Sequence, residues 1–568
     1  MKKTPTKSRP QRSWARAWPM VTLTFAAILF GVLAFEWDPA QAQETAQPKA
    51  KAKAKNPEFT PKSKNLPVAN SLTNGKKVDA AALAKLIDLE INKRIKADSA
   101  KSTGLCSDEE FVRRIHLDLV GVIPTADKVA AFLGSKDPEK RAKLIDDLLT
   151  DSRFGHAIAE AWAIHLIPRE SNNRVLNQKP LEGWLADHFN KNTPLDKVVY
   201  ELVTATGEID KNPAGIYFVG NPTVDKITDN VTRMFLGVQL QCAQCHNHPF
   251  TDWKQTEYWA MASFFMKTRV VGTAKGAAKG GATPNVGEAA KGPGKKGLPE
   301  SAKIVPAKFL QGETPTISGV EMRPTLAKWM TSADNKFFAR AMVNRLWYQL
   351  YGRGLVNPVD DMHDDNAATH PALLATLTEQ MKLHQFDTKF MIRSICNSEA
   401  YQRSSVSKDD AASVDPETYS RREMRVMAPE QMFDSLTTIL GAAGKGAPKD
   451  KAAKKGGPVG PRANFINFFR VEDSNPLEYQ NGIPQALVMM NSPFTNKAEA
   501  IAAEVTKNAK TPTEAIESIY LTALSRRPTT TETQRLTKYA SRPGATARTA
   551  YGDILWALLN SSEFVLNH

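Results

Sequence analysis

Three basic segments divide this chain of 568 residues. Residues 1–77, 267–303 and 441–462 carry net charges of +10, +6 and +5, whereas the whole chain carries +15. The remaining residues therefore have a net charge of −6. Because segments rich in Lys, Ala, Gly and Pro bury too little apolar surface to fold, we expect two folded regions joined by linkers. The basic charge lies outside those regions, so no specific nucleic-acid partner is expected.

The first 42 residues have the layout of a secretory signal. Residues 1–16 contain six Lys or Arg, residues 17–35 are uncharged, and Ala40-Gln41-Ala42 provides a small-residue cleavage site. The 19 uncharged residues are also enough for a retained N-terminal membrane anchor. Both outcomes predict an exported protein of the periplasm or cell envelope. Residues 43–77 are then expected to form a disordered tether.

Helix-start signals and the spacing of apolar residues predict a mainly α protein. Ser107 with Glu110, and Thr529 with Glu532, have the pattern of a capping box. Apolar residues follow the helical period in several segments, for example around 337–351. The sequence therefore predicts helices as the main elements, with only minor β pieces.

The linkers set the predicted domain boundaries. We expect a helical domain over 78–268 and a disordered linker over 269–303. A second helical domain is expected over 321–568, with a disordered insertion at 442–462. Short β pieces are expected within 304–320 and 463–472.

The densest group of candidate ligands is the segment Cys242-Ala-Gln-Cys245-His246-Asn-His248. A Cys-x-x-Cys-His sequence is the attachment motif of c-type haem, in which two thiols bind vinyl groups and the imidazole binds the iron. If residues 235–246 are helical, Cys242, Cys245 and His246 project from one face. Pro249 is expected to take His248 out of helical geometry and into a turn.

Three interpretations of this segment remain open. The first is haem c held by Cys242, Cys245 and His246, with electron transfer as the associated function. The second is a zinc or similar site that uses the two thiols, His246 or His248, and one further ligand. The third is a structural site with a Cys242–Cys245 disulfide. Candidates for a sixth haem ligand are Met261, Met266, His156 and His165. Cys106 and Cys396 lie far from this segment, and their pairing is left open.

A second polar cluster consists of Asp360, Asp361, His363, Asp364, Asp365 and His370. Its spacing matches no defined calcium loop, which favours a solvated loop whose acids cap the following helix. The chain has no Gly-x-Ser-x-Gly elbow, no Walker loop and no His-Glu-x-x-His sequence. Catalytic residues are therefore unknown, and the sequence does not decide whether the chain is an enzyme. The partner is expected to be an envelope protein or a redox protein.

Long motifs resemble those of planctomycete envelope proteins that combine two uncharacterised domains. The segment from Ser107 to Pro124 and the segment 241–250 resemble a cytochrome-like domain. Asn344-Arg-Leu-Trp347, Gly352-Arg-Gly-Leu-Val356 and Leu524-Ser-Arg-Arg-Pro528 resemble a planctomycete-specific domain that follows it. The resemblance covers about 78–266 and 321–567. Asn247 departs from the family pattern, in which an Asp at this position would orient a ligating imidazole.

Overall fold

A computed structural model describes most of the chain after residue 65. The described residues are 66, 69–167, 176–272, 283–289, 305–317, 321–406, 415–442, 460–469, 483–491 and 497–568. The predicted signal or anchor at 1–42 lies outside them, as do residues 43–65 of the predicted tether.

Helices form most of the described structure. Those of the N-terminal half are α1 (Ala80–Ala97), α2 (Asp108–Val120), α3 (Ala126–Gly134), α4 (Lys140–Thr150), α5 (Ser152–Leu166), α6 (Lys179–Asn190), α7 (Leu195–Thr204), α8 (Ile216–Gly220), α9 (Val224–Leu236) and α10 (Gln255–Ala262). Those of the middle of the chain are α11 (Met322–Met330), α12 (Phe338–Tyr351), α13 (Pro371–Leu383), α14 (Thr388–Cys396) and α15 (Glu399–Gln402). Those of the C-terminal part are α16 (Pro429–Ala442), α17 (Pro461–Phe469), α18 (Ile483–Asn491), α19 (Ala498–Val505), α20 (Pro512–Leu524), α21 (Thr530–Ala540), α22 (Ala547–Leu559) and α23 (Ser562–Val565). Within the described ranges, no helix combines the length and the apolar character needed to cross a membrane.

In the part of the chain that the structure describes, five short strands accompany these helices. They are β1 (Gly207–Glu208), β2 (Thr268–Val271), β3 (Asn285–Glu288), β4 (Arg425–Val426) and β5 (Leu566–Asn567). Strand β3 pairs antiparallel with both β1 and β2, and β4 pairs antiparallel with β5. The prediction of a mainly α protein with minor β pieces is confirmed.

The strands are not where the sequence predicted them. Residues 285–288, inside the predicted linker, form the central strand β3, so this part of the linker is ordered. The predicted strand at 463–472 is wrong for the residues described, because Pro461–Phe469 is helix α17. Phe465 and Phe469 are buried at i and i+4 and their rings stack with centroids 4.2 Å apart, as one helical face requires. No strand occurs in 305–317, where β pieces were also expected.

Residues Pro61–His568 form one compact unit with two main hydrophobic cores. The larger core runs from Leu83 to Tyr419 and takes buried residues from α1, α2 and α4 to α15, whereas the buried Val129 of α3 belongs to a small third cluster. The second core is formed by residues between Met427 and Val565, together with Leu117 and Ile123 from the end of α2 and just beyond it. Helix α2 therefore supplies apolar side chains to both cores.

Candidate functional site

The segment with two cysteines and two histidines lies in residues 237–253, named here the Cys–His loop, between α9 and α10. Helix α9 ends at Leu236 because Gly237 takes a left-handed conformation with φ of 68°. A single 3₁₀ turn follows at Gln241–Gln244. The condition for a shared helical face, a helix over residues 235–246, is therefore not met. Cys242, Cys245 and His246 leave an exposed turn and not one stripe of a regular helix.

Helix α10 fixes the backbone of this turn. The side-chain Nε2 of Gln255 donates hydrogen bonds to the carbonyl oxygens of Gln244 (3.1 Å) and Cys245 (2.7 Å). The indole Nε1 of Trp259 donates to the same Gln244 oxygen at 3.1 Å. Ala243, between the two cysteines, is fully buried. The turn is thus held on its inner side while both thiols face solvent.

The ring of His246 is oriented by the backbone carbonyl of its neighbour. Its Nδ1 lies 2.6 Å from the carbonyl oxygen of Asn247. A carbonyl oxygen only accepts, so Nδ1 carries the proton and Nε2 keeps a free lone pair. A histidine that ligates a metal commonly has this arrangement. The side chain of Asn247 contacts α10: its Oδ1 accepts a hydrogen bond from the backbone N–H of Gln255 at the start of that helix (3.0 Å).

His248 has the opposite arrangement. Its Nδ1 accepts hydrogen bonds from the backbone N–H groups of Phe250 (3.2 Å) and Thr251 (3.0 Å). Burial lowers the pKa of His248, which favours the neutral ring. A neutral ring that accepts at Nδ1 carries its proton on Nε2, so it has no remaining lone pair for a metal. His248 lies at the start of a turn, as predicted, and its backbone N–H donates to the carbonyl oxygen of Trp253 at 2.8 Å.

The predicted acidic cluster lies beside this loop. The carboxylate of Asp360 accepts hydrogen bonds from Arg233 Nε (2.7 Å) and Gln239 Nε2 (2.9 Å). The backbone N–H of Met362 donates to the carbonyl oxygen of Gly237 at 3.0 Å. Asp360 and Met362 therefore fix the end of α9 and the start of the Cys–His loop from a distant part of the chain.

The other members of that cluster differ in exposure. Asp364 and Asp365 are exposed, whereas His363 and His370 are each 3% exposed. The Nε2 of His363 lies 3.6 Å from a carboxylate oxygen of Asp361, and both groups influence the pKa of His248. The expectation that these acids cap the next helix is wrong, because α13 starts at Pro371 with no side-chain capping bond. Asp360 and Asp361 instead neighbour the Cys–His loop.

Sequence reasoning did not single out Asp229, a titratable group near the loop. Burial, together with the nearby carboxylate of Asp225, raises the pKa of Asp229 to about 7. Burial also raises the pKa of Tyr258 on α10, with Asp229 adding to the effect. At its helical spacing on α9, Asp229 is typical of a solvated helix face, so the sequence contained no signal for its burial.

All four cysteines are free thiols. Cys242 and Cys245 are exposed and do not form a disulfide, while Cys106 and Cys396 are buried and are also unpaired with each other. Within the described ranges, no three His, Cys, Asp or Glu side chains are grouped so that they could hold a metal ion.

The candidates for a sixth ligand lie in different environments. Met261 is fully buried in the larger core. His156 is exposed on α5. Met266 and His165 are partly buried. Hydrogen bonding and burial among the described residues therefore mark none of the four as a partner of His246.

Together these features define a mainly helical protein that presents a Cys-x-x-Cys-His sequence on an exposed, internally braced turn. Residues 86–270 match the family PSCyt2, described as a protein of unknown function (DUF1549). Residues 322–458 and 466–540 match the family PSD1, described as a protein of unknown function (DUF1553). The chain therefore belongs to the proteins that combine these two families in this order, as its motifs predicted. No curated protein and no solved structure matches it.

Proposed function

We propose that this chain is an exported protein of the cell envelope that carries a c-type haem on Cys242 and Cys245, with His246 as an iron ligand. The contrast between the two histidines of the loop carries the proposal. His246 has its Nδ1 proton bound to a carbonyl and its Nε2 free, whereas His248 uses Nδ1 as an acceptor. Only the histidine that belongs to the haem motif is prepared to bind a metal.

The donor set fits the requirements of haem attachment. The two thiols that would form thioether bonds are free and exposed, and they lie three residues apart on one turn. Gln255 and Trp259 hold the backbone of that turn, and the carbonyl of Asn247 holds the proton of His246 away from Nε2. When bound, the haem would supply one-electron redox chemistry. This favours electron transfer with a redox protein as the partner.

A zinc site would require a different tautomer of His248. A tetrahedral site needs four ligands, and His248 is the next donor after Cys242, Cys245 and His246. To ligate through Nε2, His248 would have to move its proton to Nδ1 and lose two backbone hydrogen bonds. An interaction protein with a zinc-stabilised or disulfide-stabilised loop and no redox activity is therefore the competing outcome.

The proposal of export depends on the N-terminal sequence. Six basic residues in 1–16, the uncharged run 17–35 and the site Ala40-Gln41-Ala42 favour secretion or N-terminal anchoring. Haem c attachment by thiols is consistent with export, because the exported chain meets the compartment where such attachment takes place. Fractionation of the native cell, with and without protease treatment of intact cells, tests this part separately.

The haem proposal is tested by expressing the full chain in a host that exports proteins and attaches haem. We expect a Soret band that stays with the polypeptide after denaturation, and a mass increase of one haem. Replacing both thiols, Cys242→Ser with Cys245→Ser, should abolish that covalent signal. His246→Ala should keep covalent haem but change the iron spectrum, because an axial ligand is lost.

His248→Gln is the matched control for these variants. It lies in the same loop, so haem content and the Soret spectrum should remain those of the unaltered chain. A chain that carries no covalent haem but binds one zinc, and loses that zinc in His248→Gln, would overturn the haem proposal. A disulfide between Cys242 and Cys245 with neither haem nor metal would overturn it in favour of a structural loop.

A further inference from the structure

A cleft with a volume of about 810 Å³ lies away from the Cys–His loop, between the start of α12, the length of α13 and the residues that precede α1. Its polar lining includes Asn70, Asn74, Gln311, Lys336, Arg340 and Lys382. This volume is within the usual range for small-molecule sites, roughly 300–1,000 Å³. We name it the basic cleft.

One wall of the basic cleft is built by hydrogen bonds between distant parts of the chain. The carboxylate of Glu379 on α13 accepts hydrogen bonds from Ser71 Oγ (2.6 Å) and the backbone N–H of Gly75 (2.9 Å). The next residue, Gln380, donates from Nε2 to the carbonyl oxygen of Lys76 at 2.7 Å. The backbone N–H of Leu72 donates to Thr376 Oγ1 at 2.9 Å. This wall is therefore in place before a ligand binds, which lowers the entropic cost of binding.

The carboxylate of Glu379 accepts its hydrogen bonds from groups within this wall. Burial opposes ionisation, but the hydrogen bonds from Ser71, Thr73 and Gly75 lower the pKa of Glu379 below its usual range. Its carboxylate is thus ionised and already surrounded by donors from the turn. A carboxylate that is satisfied in this way repels an anionic ligand less than an open one.

Three cations face the cleft from two helices. Lys336 and Arg340 lie at the amino-terminal end of α12, where the helix dipole adds positive potential. Lys382 lies in the last turn of α13. Burial lowers the pKa of both Lys382 and Arg340, and the acids that oppose this effect are Asp334 and Asp364. Both acids are exposed to solvent, which screens them.

The positive region continues into a neighbouring cavity of about 400 Å³. The two cavities share Gln311 and Lys336, and the second one adds Lys308. Glu257 is the acid on its lining. The two cavities together arrange Lys308, Lys336 and Lys382 along one depression, so a ligand with several charges can contact more than one cation.

We propose that the basic cleft binds an organic molecule that carries two or more anionic groups, either carboxylates or phosphates. Lys336, Arg340 and Lys382 recognise the charges through charge-assisted hydrogen bonds, which are stronger than neutral ones. Arg340 and Lys382 are half-buried, whereas Lys336 is exposed at the rim. The amides of Asn70, Asn74 and Gln311 recognise its hydroxyl or carbonyl groups. The site is separate from the Cys–His loop, and it stands whether or not the loop carries haem.

The test is a calorimetric titration of the full chain with citrate, pyrophosphate and acetate. We expect saturable binding of citrate or pyrophosphate at one site, at least about tenfold tighter than acetate, since each added charge contact contributes roughly that factor. The tighter of the two polyanions identifies the carboxylate or the phosphate class. Binding should weaken as salt rises from about 0.05 to 0.5 M, because the outer part of the cleft is open to solvent.

The double variant Lys336→Ala with Lys382→Ala should weaken polyanion binding by at least about tenfold. Lys85→Ala removes an exposed lysine from α1 and serves as the matched control, for which the affinity should be unchanged. Circular dichroism of both variants establishes that they are folded. Absence of saturable binding of both polyanions, or equal binding by the double variant and the unaltered chain, would overturn the proposal.

Discussion

Asp118 is a residue of α2 on which four long-range hydrogen bonds converge. Its side chain is 2% exposed. Its two oxygens accept hydrogen bonds from four donors that are all far along the chain: Arg422 Nη2 (3.1 Å), Arg425 Nη2 (2.6 Å), Tyr401 Oη (2.8 Å) and Asn567 Nδ2 (2.7 Å). The family motif around Asp118 is therefore explained by structure, because this carboxylate balances buried guanidinium groups and fixes β4 beside β5.

The variant Asp118→Asn tests this role. It has nearly the same shape but leaves Arg422 and Arg425 without their carboxylate, and breaking a buried ion pair in this way costs about 3–5 kcal/mol. We expect the free energy of unfolding, measured with urea, to fall by about 3 kcal/mol or more. The control is Asp553→Asn, whose exposed ion pair with Arg542 at 3.2 Å should contribute less than about 1 kcal/mol. Equal losses in the free energy of unfolding for the two variants would contradict a stabilising role of Asp118.

At the scale of the element, local signals predicted helix starts well and helix ends less well. Thr529 and Glu532 form the predicted capping box. Ser107 accepts from Glu110 N–H as predicted. The Glu110 carboxylate, however, contacts Arg114 one helical turn later and the N–H of Ser405 (2.7 Å), which lies far along the chain. The apolar residues after Gly237 extended the helical pattern of α9, so the sequence did not reveal where that helix ends.

The strands and the candidate site required tertiary information. Strand β3 pairs with β1, about 80 positions earlier in the chain, and no periodicity within 285–288 indicates that contact. The Cys-x-x-Cys-His motif identified the loop, and its haem interpretation stays a prediction. The sequence could not show which ring nitrogen of each histidine is free, because that depends on the backbone groups of a folded turn.

Gly237 is the position where the end of α9 is set, and Gly237→Ala tests it. The left-handed φ of 68° is strained for alanine, and the added Cβ would lie 2.9 Å from Met362 Sδ and 3.2 Å from Ala341 Cβ. We expect a loss of about 2–3 kcal/mol in the free energy of unfolding, together with faster hydrogen exchange in residues 238–246.

Gly544→Ala provides a matched control for this variant. Gly544 has a similar φ of 79°, but a Cβ there would meet no atom within 4 Å. Gly544→Ala should therefore lower the free energy of unfolding by only about 1 kcal/mol, the cost of a left-handed backbone at alanine. Hydrogen exchange at the Cys–His loop should not change. If both variants lose the same free energy, the contact between Gly237 and Met362 does not position the loop.

At the scale of the whole molecule, the hydrophobic cores do not follow the boundary between the two families. Residues 322–419 of the PSD1 part share the larger core with the PSCyt2 part, and the later residues form the second core with Leu117 and Ile123. Arg113 strengthens this connection, because its guanidinium donates to the carbonyl oxygens of Phe564 (2.6 Å) and Ala523 (3.2 Å). The linkers predict two domains, but they could not predict this shared packing.

A substitution in the second core should therefore lower the hydrogen-exchange protection of α2. Leu555 on α22 is fully buried in the second core, and Leu555→Ala is expected to cost about 3 kcal/mol. Because Leu117 belongs to the same core, amides of α2 and of α20 should lose hydrogen-exchange protection by similar amounts. Lys538→Ala, on the exposed side of α21, should leave both helices unchanged. If α20 loses protection while α2 keeps it, the C-terminal part unfolds as an independent unit and α2 does not couple the two cores.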